Sequence, residues 1–487
     1  MTITQMPQRG DRQSGLPTNS EKVSNNPDWR TPYQHDCDRL LYSPYFRRLG
    51  GVTQVVSSQE GLTQVFHTRL THTLKVAQIA RRLAERLEEM AKNEKIEIEI
   101  DPDVAEAAAL AHDLGHPPFG HTAEEKLNKL VQKKSGQDQE GFEGNAQSFR
   151  IVTRLAVRMN NKDSEENPPG LDLTRATLNA ILKYPWMWKN NGKKKKKFGA
   201  YTEDKDAFEF ARAGCRDDIR SVEADIMDLA DDITYAIHDV EDFYKAGLIP
   251  LEVFARHYAE DDHNVEDDHN KVQKQPQDKE IDDFLEYTYK KWEEKGLLIE
   301  LNLANKKEED FKEKVGEIIS NRTEGISKDR YKGLPKQMAL FSENFANHFL
   351  NDCFSKIKLL GGKFKWLDVP LEVRMEIEVL KNLTWYYVID GRSLASQQTG
   401  CQKIIECLFN WAFEHLKMGE LKVFPEWVKY FVEKELEENK TSNKNEKQFF
   451  ARTAADFVAS LTEQQAYELY YRINGFSAGS ILNPITA

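Results

Sequence analysis

A chain of 487 residues, 30% charged and 39% hydrophobic, has the length for two or three ordinary domains, or for one large helical body with insertions. Its net charge of −12 argues against wholesale wrapping of nucleic acid, and an anionic substrate would need a cation to mediate. The five cysteines are scattered with no CxxC pair, which argues against a disulfide frame or zinc ribbon and suits a reducing cytoplasm. No run approaches the roughly 18 apolar residues of a membrane helix, and the N-terminus has no apolar signal core.

Residues 1 to about 30 are rich in Asn, Gln, Ser, Pro and Gly and read as a flexible tail, with order beginning near Tyr33. Arg47-Arg48 is either surface charge or part of an anion site. Gly50 to Thr68 is expected as a loop or short hairpin, with Gln54-Val55-Val56 and Gln64-Val65-Phe66 as arms. A helix runs from about Arg69 to Met90, where Val76, Ile79, Leu83 and Leu87 form one apolar stripe. His72 falls on that stripe. A histidine there is more often a hydrogen-bonded core residue than a ligand. Arg69 on the same face weakens that plain explanation, because a buried guanidinium needs an anionic partner.

The stretch from Ala107 to Glu125 (AAALAHDLGHPPFGHTAEE) is the densest in chemistry. Asp101-Pro102 opens a helix as N-cap and first-turn proline, and Val104 to Leu114 carries it. Gly115 and Pro117-Pro118 must stop it, which places His112 and Asp113 in its last turn. A second helix is expected from Thr122, with Thr122-x-x-Glu125 as a capping box, and the loop before it aims His121 back toward His112-Asp113. Gly141 to Arg158 reads as another helix with Asn145 in its first turn, where it would serve simply as a cap. Leu173 to Leu182 is helical, and Lys193 to Lys197 reads as a solvated run.

The helix from about Asp217 to Tyr244 carries an apolar stripe through Val222, Ile226, Leu229, Ile233, Ile237 and Val240. At ~100° per residue, Asp231, Tyr235 and Asp239 stack on its other side. Asp228, Asp232 and Asp242 widen that face. Such a face is usually plain solvent surface, but stacked acids with few bases on the same helix repel, and a cation or a buried polar site would relieve them. Residues 255–336 form a polar insertion that includes Asp-Asp-His at 261–263 and 267–269. Val373–Ile389, Thr399–Leu416 and Phe449–Phe476 read as helices, the last broken at Ser460-Leu-Thr. The body is mainly α. The chain divides as tail 1–30, core 31–250, insertion 251–338 and C-terminal helical region 339–487.

His72, His112, Asp113 and an aspartate of the acidic helix form a mixed N/O set suited to one divalent cation such as Mn²⁺, Fe²⁺, Co²⁺, Ni²⁺ or Mg²⁺. His121 and Glu124, a few residues on, are expected to form a hydrogen-bonded acid/base pair. In its surroundings the set resembles the HD-domain phosphohydrolases, in the deoxynucleotide (dGTP) triphosphohydrolase branch. The matching blocks are FRRLGGVTQV at 46–55, RLTHTLKVA at 69–77, HDLGHPPFGHTAEE at 112–125, FEGNAQSFRI at 142–151, LKYPW at 182–186 and ADDITYAIHDVED at 230–242.

The resemblance runs from about Tyr33 to Tyr244 and resumes weakly near Arg374–Val388 and Arg452–Phe476. It implies an HD-type helical core with further C-terminal helices, and one metal ion held by His72, His112, Asp113 and Asp231. Asp231 is preferred over Asp232 because Tyr235 and Asp239 follow at the family's spacing. His121 and Glu124 match the family's catalytic pair, and His116 matches a histidine near the phosphates. Arg69, Asn145, Lys183, Tyr184 and Tyr235 match positions along triphosphate or sugar. Gln54 and Val55 match positions facing sugar and base, Asp239 one near the ribose, and Lys197 a basic residue before a glycine. The implied reaction releases a deoxynucleoside and intact triphosphate. The implied assembly is a homo-oligomer, tetramer or hexamer, with weak single-stranded nucleic acid binding as a further property and no membrane partner. Rival readings are an HD nucleotidase or phosphodiesterase on another nucleotide, and a nucleotide-sensing regulator with little turnover.

Overall fold

The computed structural model describes residues 6–14, 28–54, 67–136, 139–156, 170–190, 192–260, 276–300, 308–323, 343, 347–360, 366–390, 392–438 and 446–477. They are mainly helical. A short antiparallel pair joins β1 (Lys358–Leu359) to β2 (Leu367–Asp368), with Lys358 opposite Asp368 and Leu359 opposite Leu367. None of the described helices is long and apolar enough to cross a membrane.

Helix α1 (Pro32–Leu41) starts in a Thr31/Gln34 capping box with Pro32 in its first turn. The heart of the molecule is a trio of helices packed against one another: α2 (Arg69–Glu94), α3 (Pro102–Ala111) and a long acidic helix, Val222–Lys245. Val76, Ala80, Leu83 and Leu87 of α2 are buried against the alanine-rich α3 and against Ile226, Ile233 and Val240 of the acidic helix. Each fully buried Leu or Ile contributes about 1.5–3 kcal/mol. Small alanines in α3 let its neighbours approach closely.

Asp101 caps α3 as expected, accepting from the amides of Asp103 and Val104. The helix nevertheless ends at Ala111, earlier than the expected Leu114, with His112 as C-cap and Asp113 in the turn beyond. Ser148 explains the early stop. Its hydroxyl donates to the His112 carbonyl and accepts from the Gly115 amide, both at 2.9 Å. The approach is so close that a Cβ on Gly115 would sit 2.2 Å from the Gly144 carbonyl oxygen.

Helix α4 (Gly120–Ser135) begins before Thr122, and the expected Thr122/Glu125 capping box does not form. Phe119, at φ 67, is the N-cap instead, and Glu463 takes its amide. Helix α5 (Gly144–Arg150) is capped by Glu143, with Asn145 donating to the Glu143 carboxylate. It passes into a π turn at Ile151–Leu155 rather than running on as α-helix. Helix α6 (Arg175–Ile181) follows, and the acidic helix is α7.

A second apolar core joins α4 to the C-terminal helices α9 (Arg392–Met418), α10 (Glu446–Ala459) and α11 (Glu463–Ile473), through Leu127, Val131, Ile405, Leu408 and Phe457. Helix α8 (Leu371–Thr384) packs on α7 and continues as a π turn, Trp385–Ile389.

Residues 6–14 are not a free tail. Arg12 is buried, 2.8 Å from Asp36, and pairs in a bridge with Thr174. Its only sequence signal is a pair of arginines, Arg9 and Arg12, in a polar stretch. A bridge between Thr53 and Thr68 closes the base of the expected hairpin, but Val55, Val56 and Gln64–Phe66 lie outside the described residues, as do both Asp-Asp-His repeats.

Candidate active site

The helix trio brings its polar residues together at one end. His72 projects from the first turn of α2, three residues after Arg69, so both lie on one face. His72 Nε2 lies 3.1 Å from Asp231 Oδ1 on α7, and His112 Nε2 lies 3.6 Å from the same oxygen and 3.5 Å from Asp113 Oδ1. The neighbouring Asp232 turns away to Lys381, at 2.7 Å. His112 directs Nδ1 at the Ala109 carbonyl, 2.7 Å away, which orients Nε2 into the cluster, where it has no hydrogen-bond partner. Ligand atoms of His72, His112 and Asp113 lie within 4.8 Å of one another. The donor set therefore fits a divalent cation.

Electrostatics point the same way. Burial pushes the Asp113 carboxyl up, but Arg69 (2.8 Å), His112 and His116 outweigh it and hold Asp113 well below the usual carboxylate range. Asp231 is likewise held well below that range, since Lys183, His112 and His72 outweigh its burial. Burial disfavours charge on His112, yet Asp113 and Asp231 together raise its pKa to about 9. Ionised carboxylates that force a proton onto a buried imidazole mark a place for positive charge.

A cavity of about 320 Å³ opens beside these residues, lined among others by Gln54, Arg69, His116, His121, Asn145 and Lys183, and further round by Tyr184, Lys197 and Tyr235. His121 meets Glu124 at 3.1 Å (Nδ1 to Oε2) and faces the His116 ring, with centroids 5.8 Å apart. The His121 side chain is 71% exposed, whereas that of Glu124 is 10% exposed. Burial raises Glu124, but His121 and Lys197 reverse this and keep it ionised well below the ordinary range. Lys197 ends the lysine run by turning inward, 3.2 Å from Glu124 and 3.0 Å from Glu143. Lys183 bridges Asp228 (2.7 Å) and Asp231 (3.3 Å). Asp239 does not line the cavity. It is buried one turn beyond Tyr235, and burial together with Asp242 raises its pKa well above normal. Val55 lies outside the described residues.

Residues 69–236 match the HD domain, and residues 367–472 match the phosphohydrolase-associated domain. His72, His112, Asp113 and Asp231 all fall within the HD-domain match. Deoxyguanosinetriphosphate triphosphohydrolase-like proteins are similar to it. The one from Corynebacterium efficiens is 42% identical over 49% of this chain and 51% of its own length. That from Streptomyces coelicolor is 44% identical over 45% and 49%. The chain thus spans about half the length of the first of these relatives. A deoxyguanosinetriphosphate triphosphohydrolase-like protein 2 from Mesorhizobium japonicum is 29% identical over 96% of this chain and 97% of its own.

Around the HD domain the structure adds residues that sequence reading missed. Trp385, Ile389 and Gln398 close the cavity from the C-terminal side. Glu143 holds both Lys197 and Asn145 (2.9 Å) from beneath. Arg48, buried, donates to the carbonyls of Leu114 (2.9 Å), His116 (2.8 Å) and Leu461 (3.0 Å), so it is neither surface charge nor an anion site. The acidic face of the HD domain's α7 also has more basic compensation than its own sequence offers. Lys183, Arg220, Lys381 and His67 all reach it from other elements.

Proposed function

We propose that this HD-domain phosphohydrolase hydrolyses deoxynucleoside triphosphates, dGTP among them, to the deoxynucleoside and inorganic triphosphate. The observation that carries this reading is one cavity lined by a cation-ready His/Asp cluster, a His–Glu pair and several basic side chains. The relatives' names and the motif resemblance point to the same substrate class. His72, His112, Asp113 and Asp231 would hold a divalent ion, Mn²⁺ or Mg²⁺ among the candidates, which supplies Lewis-acid polarisation of a phosphoryl oxygen.

The chain's own groups have distinct tasks. Glu124 accepts from His121 Nδ1 and fixes that ring, leaving Nε2 to move a proton at the attacking water or the departing 5′ oxygen. Arg69, Lys183 and Lys197, with His116 beside them, offset the charge of the triphosphate oxygens as the P–O bond breaks. Asn145 and Gln54 supply hydrogen bonds along triphosphate and sugar. Tyr184 and Tyr235 pack against the sugar, where an added 2′ hydroxyl would lack room or a partner. Homo-oligomeric assembly and weak single-stranded nucleic acid binding belong to the same proposal.

The test is product analysis. Each dNTP is incubated with the protein and Mg²⁺ or Mn²⁺. Inorganic triphosphate supports the reading, whereas pyrophosphate or monophosphate as the released product refutes it. Tight nucleotide binding without any turnover would instead favour a sensor.

A further inference from the structure

A second group of metal-ligating side chains lies outside the cavity, on elements that the proposed reaction does not use. His348 and Cys353 stand five residues apart in a π-helical turn, His348–Cys353, a spacing that puts both on one face. Glu376 of α8 meets them there. Cys353 Sγ lies 3.2 Å from His348 Nε2, and Glu376 Oε2 lies 3.0 Å from the same nitrogen. Cys353 is 1% exposed and Glu376 6%. Arg322 contacts the other carboxylate oxygen, Oε1, which leaves Oε2 directed at the imidazole.

The convergence on one nitrogen is informative. A nucleophilic relay would place the thiol on one ring nitrogen and the acid on the other. Here sulfur and oxygen approach the same atom. If Nε2 carries its hydrogen, that one hydrogen is shared between two acceptors. If Nε2 is bare, the carboxylate faces a lone pair. A cation between the three donors removes the conflict.

We propose that His348, Cys353 and Glu376 form a zinc site, separate from the HD cluster, with water in the fourth position. Thiolate, imidazole and carboxylate form a donor set that Zn²⁺ accepts. In a tetrahedron with Zn–S of about 2.3 Å and Zn–N or Zn–O of about 2.0–2.1 Å, ligand atoms are about 3.4–3.6 Å apart. The observed separations of 3.2 and 3.0 Å need to open by only a few tenths of an ångström. The ion would tie the turn at His348–Cys353 to α8, and the continuation of α8 carries Trp385 and Ile389 into the cavity wall. Its role is therefore to shape one side of the pocket from a distance.

Cobalt separates this site from the HD cluster, whose donors include no sulfur. The full chain is stripped with chelator and titrated with Co²⁺. The expected result is a near-ultraviolet thiolate-to-cobalt charge-transfer band that is displaced by Zn²⁺ and that saturates at one equivalent once the competing HD cluster is disabled. It persists in His112→Ala, which disables only the HD cluster, and is lost in Cys353→Ala. Glu376→Gln weakens Co²⁺ affinity at least ~10-fold. Circular dichroism verifies that the variants keep their helices. Absence of the band in the unaltered chain, or its survival in Cys353→Ala, overturns the proposal and leaves a hydrogen-bonded trio.

Discussion

Glu140 gives a pH dependence whose sign and size follow from its surroundings. It is buried where the segment leading into α5 meets α10, accepting from the Thr202 amide at 3.0 Å and lying 3.6 Å from Arg452. Burial dominates over Arg452 and pushes its pKa up to about 7. The folded chain therefore holds a proton on Glu140 that the unfolded chain has already released between about pH 4.5 and pH 7, so stability is greatest below that window and falls as pH rises through it. At about 1.36 kcal/mol per pH unit, the loss attributable to this one group is roughly 3 kcal/mol. Glu140→Gln keeps the shape without the titration. Urea-unfolding midpoints of both proteins, at about pH 5 and about pH 8, isolate the term, because every other titrating group is common to the two. The unaltered protein should lose roughly 3 kcal/mol more than the variant between those conditions. Equal losses in the two would refute the argument, as would a larger loss in Glu140→Gln.

Asp231→Asn should lower metal-dependent turnover by ~100-fold or more, whereas Asp232→Asn, which loses only its pairing with Lys381, should stay close to unaltered in steady-state assays. His121→Ala should reduce kcat by about 10²–10⁴-fold with little change in nucleotide affinity by calorimetry; parallel losses in both would contradict a proton-transfer role. Arg48→Met removes a charged donor from the carbonyls of Leu114, His116 and Leu461 and should destabilise the fold by on the order of 3–5 kcal/mol. A shift in denaturant midpoint worth under about 1 kcal/mol would show those carbonyls to be satisfied in other ways.

Much of the site was legible because its residues sit at regular helical spacing. His72 shares a face with Arg69, and Asp231 and Tyr235 stand four residues apart, so these faces could be read without knowing the tertiary fold, although the same spacing also points to Asp239, which lies outside the cavity lining. What decides between Asp231 and Asp232 is the direction of α7 relative to α2, and that is a property of packing. The helix start expected at Thr122 and the end expected at Leu114 differ from the structure for the same reason. Ser148 and Glu463 supply the decisive hydrogen bonds from 33 and 344 residues away. Local capping rules have no access to such partners. The cavity wall at Trp385, Ile389 and Gln398 stayed hidden because an aromatic in the turn after α8 and an amide on α9 look like ordinary packing residues.

Glu463 also bears on how far this molecule can be divided. One of its carboxylate oxygens accepts from the Thr53 amide (3.1 Å), the Thr53 hydroxyl (2.6 Å) and the Phe119 amide (3.3 Å). These contacts clamp two loops beside Gln54 and His121 from the far end of the chain. A fragment ending after α7 would keep every proposed ligand of the HD cluster yet leave both loops without their anchor. Engineering that seeks a minimal catalyst from the first half alone would have to replace that grip, and anything that shifts the start of α11 has a direct lever on the reaction chamber.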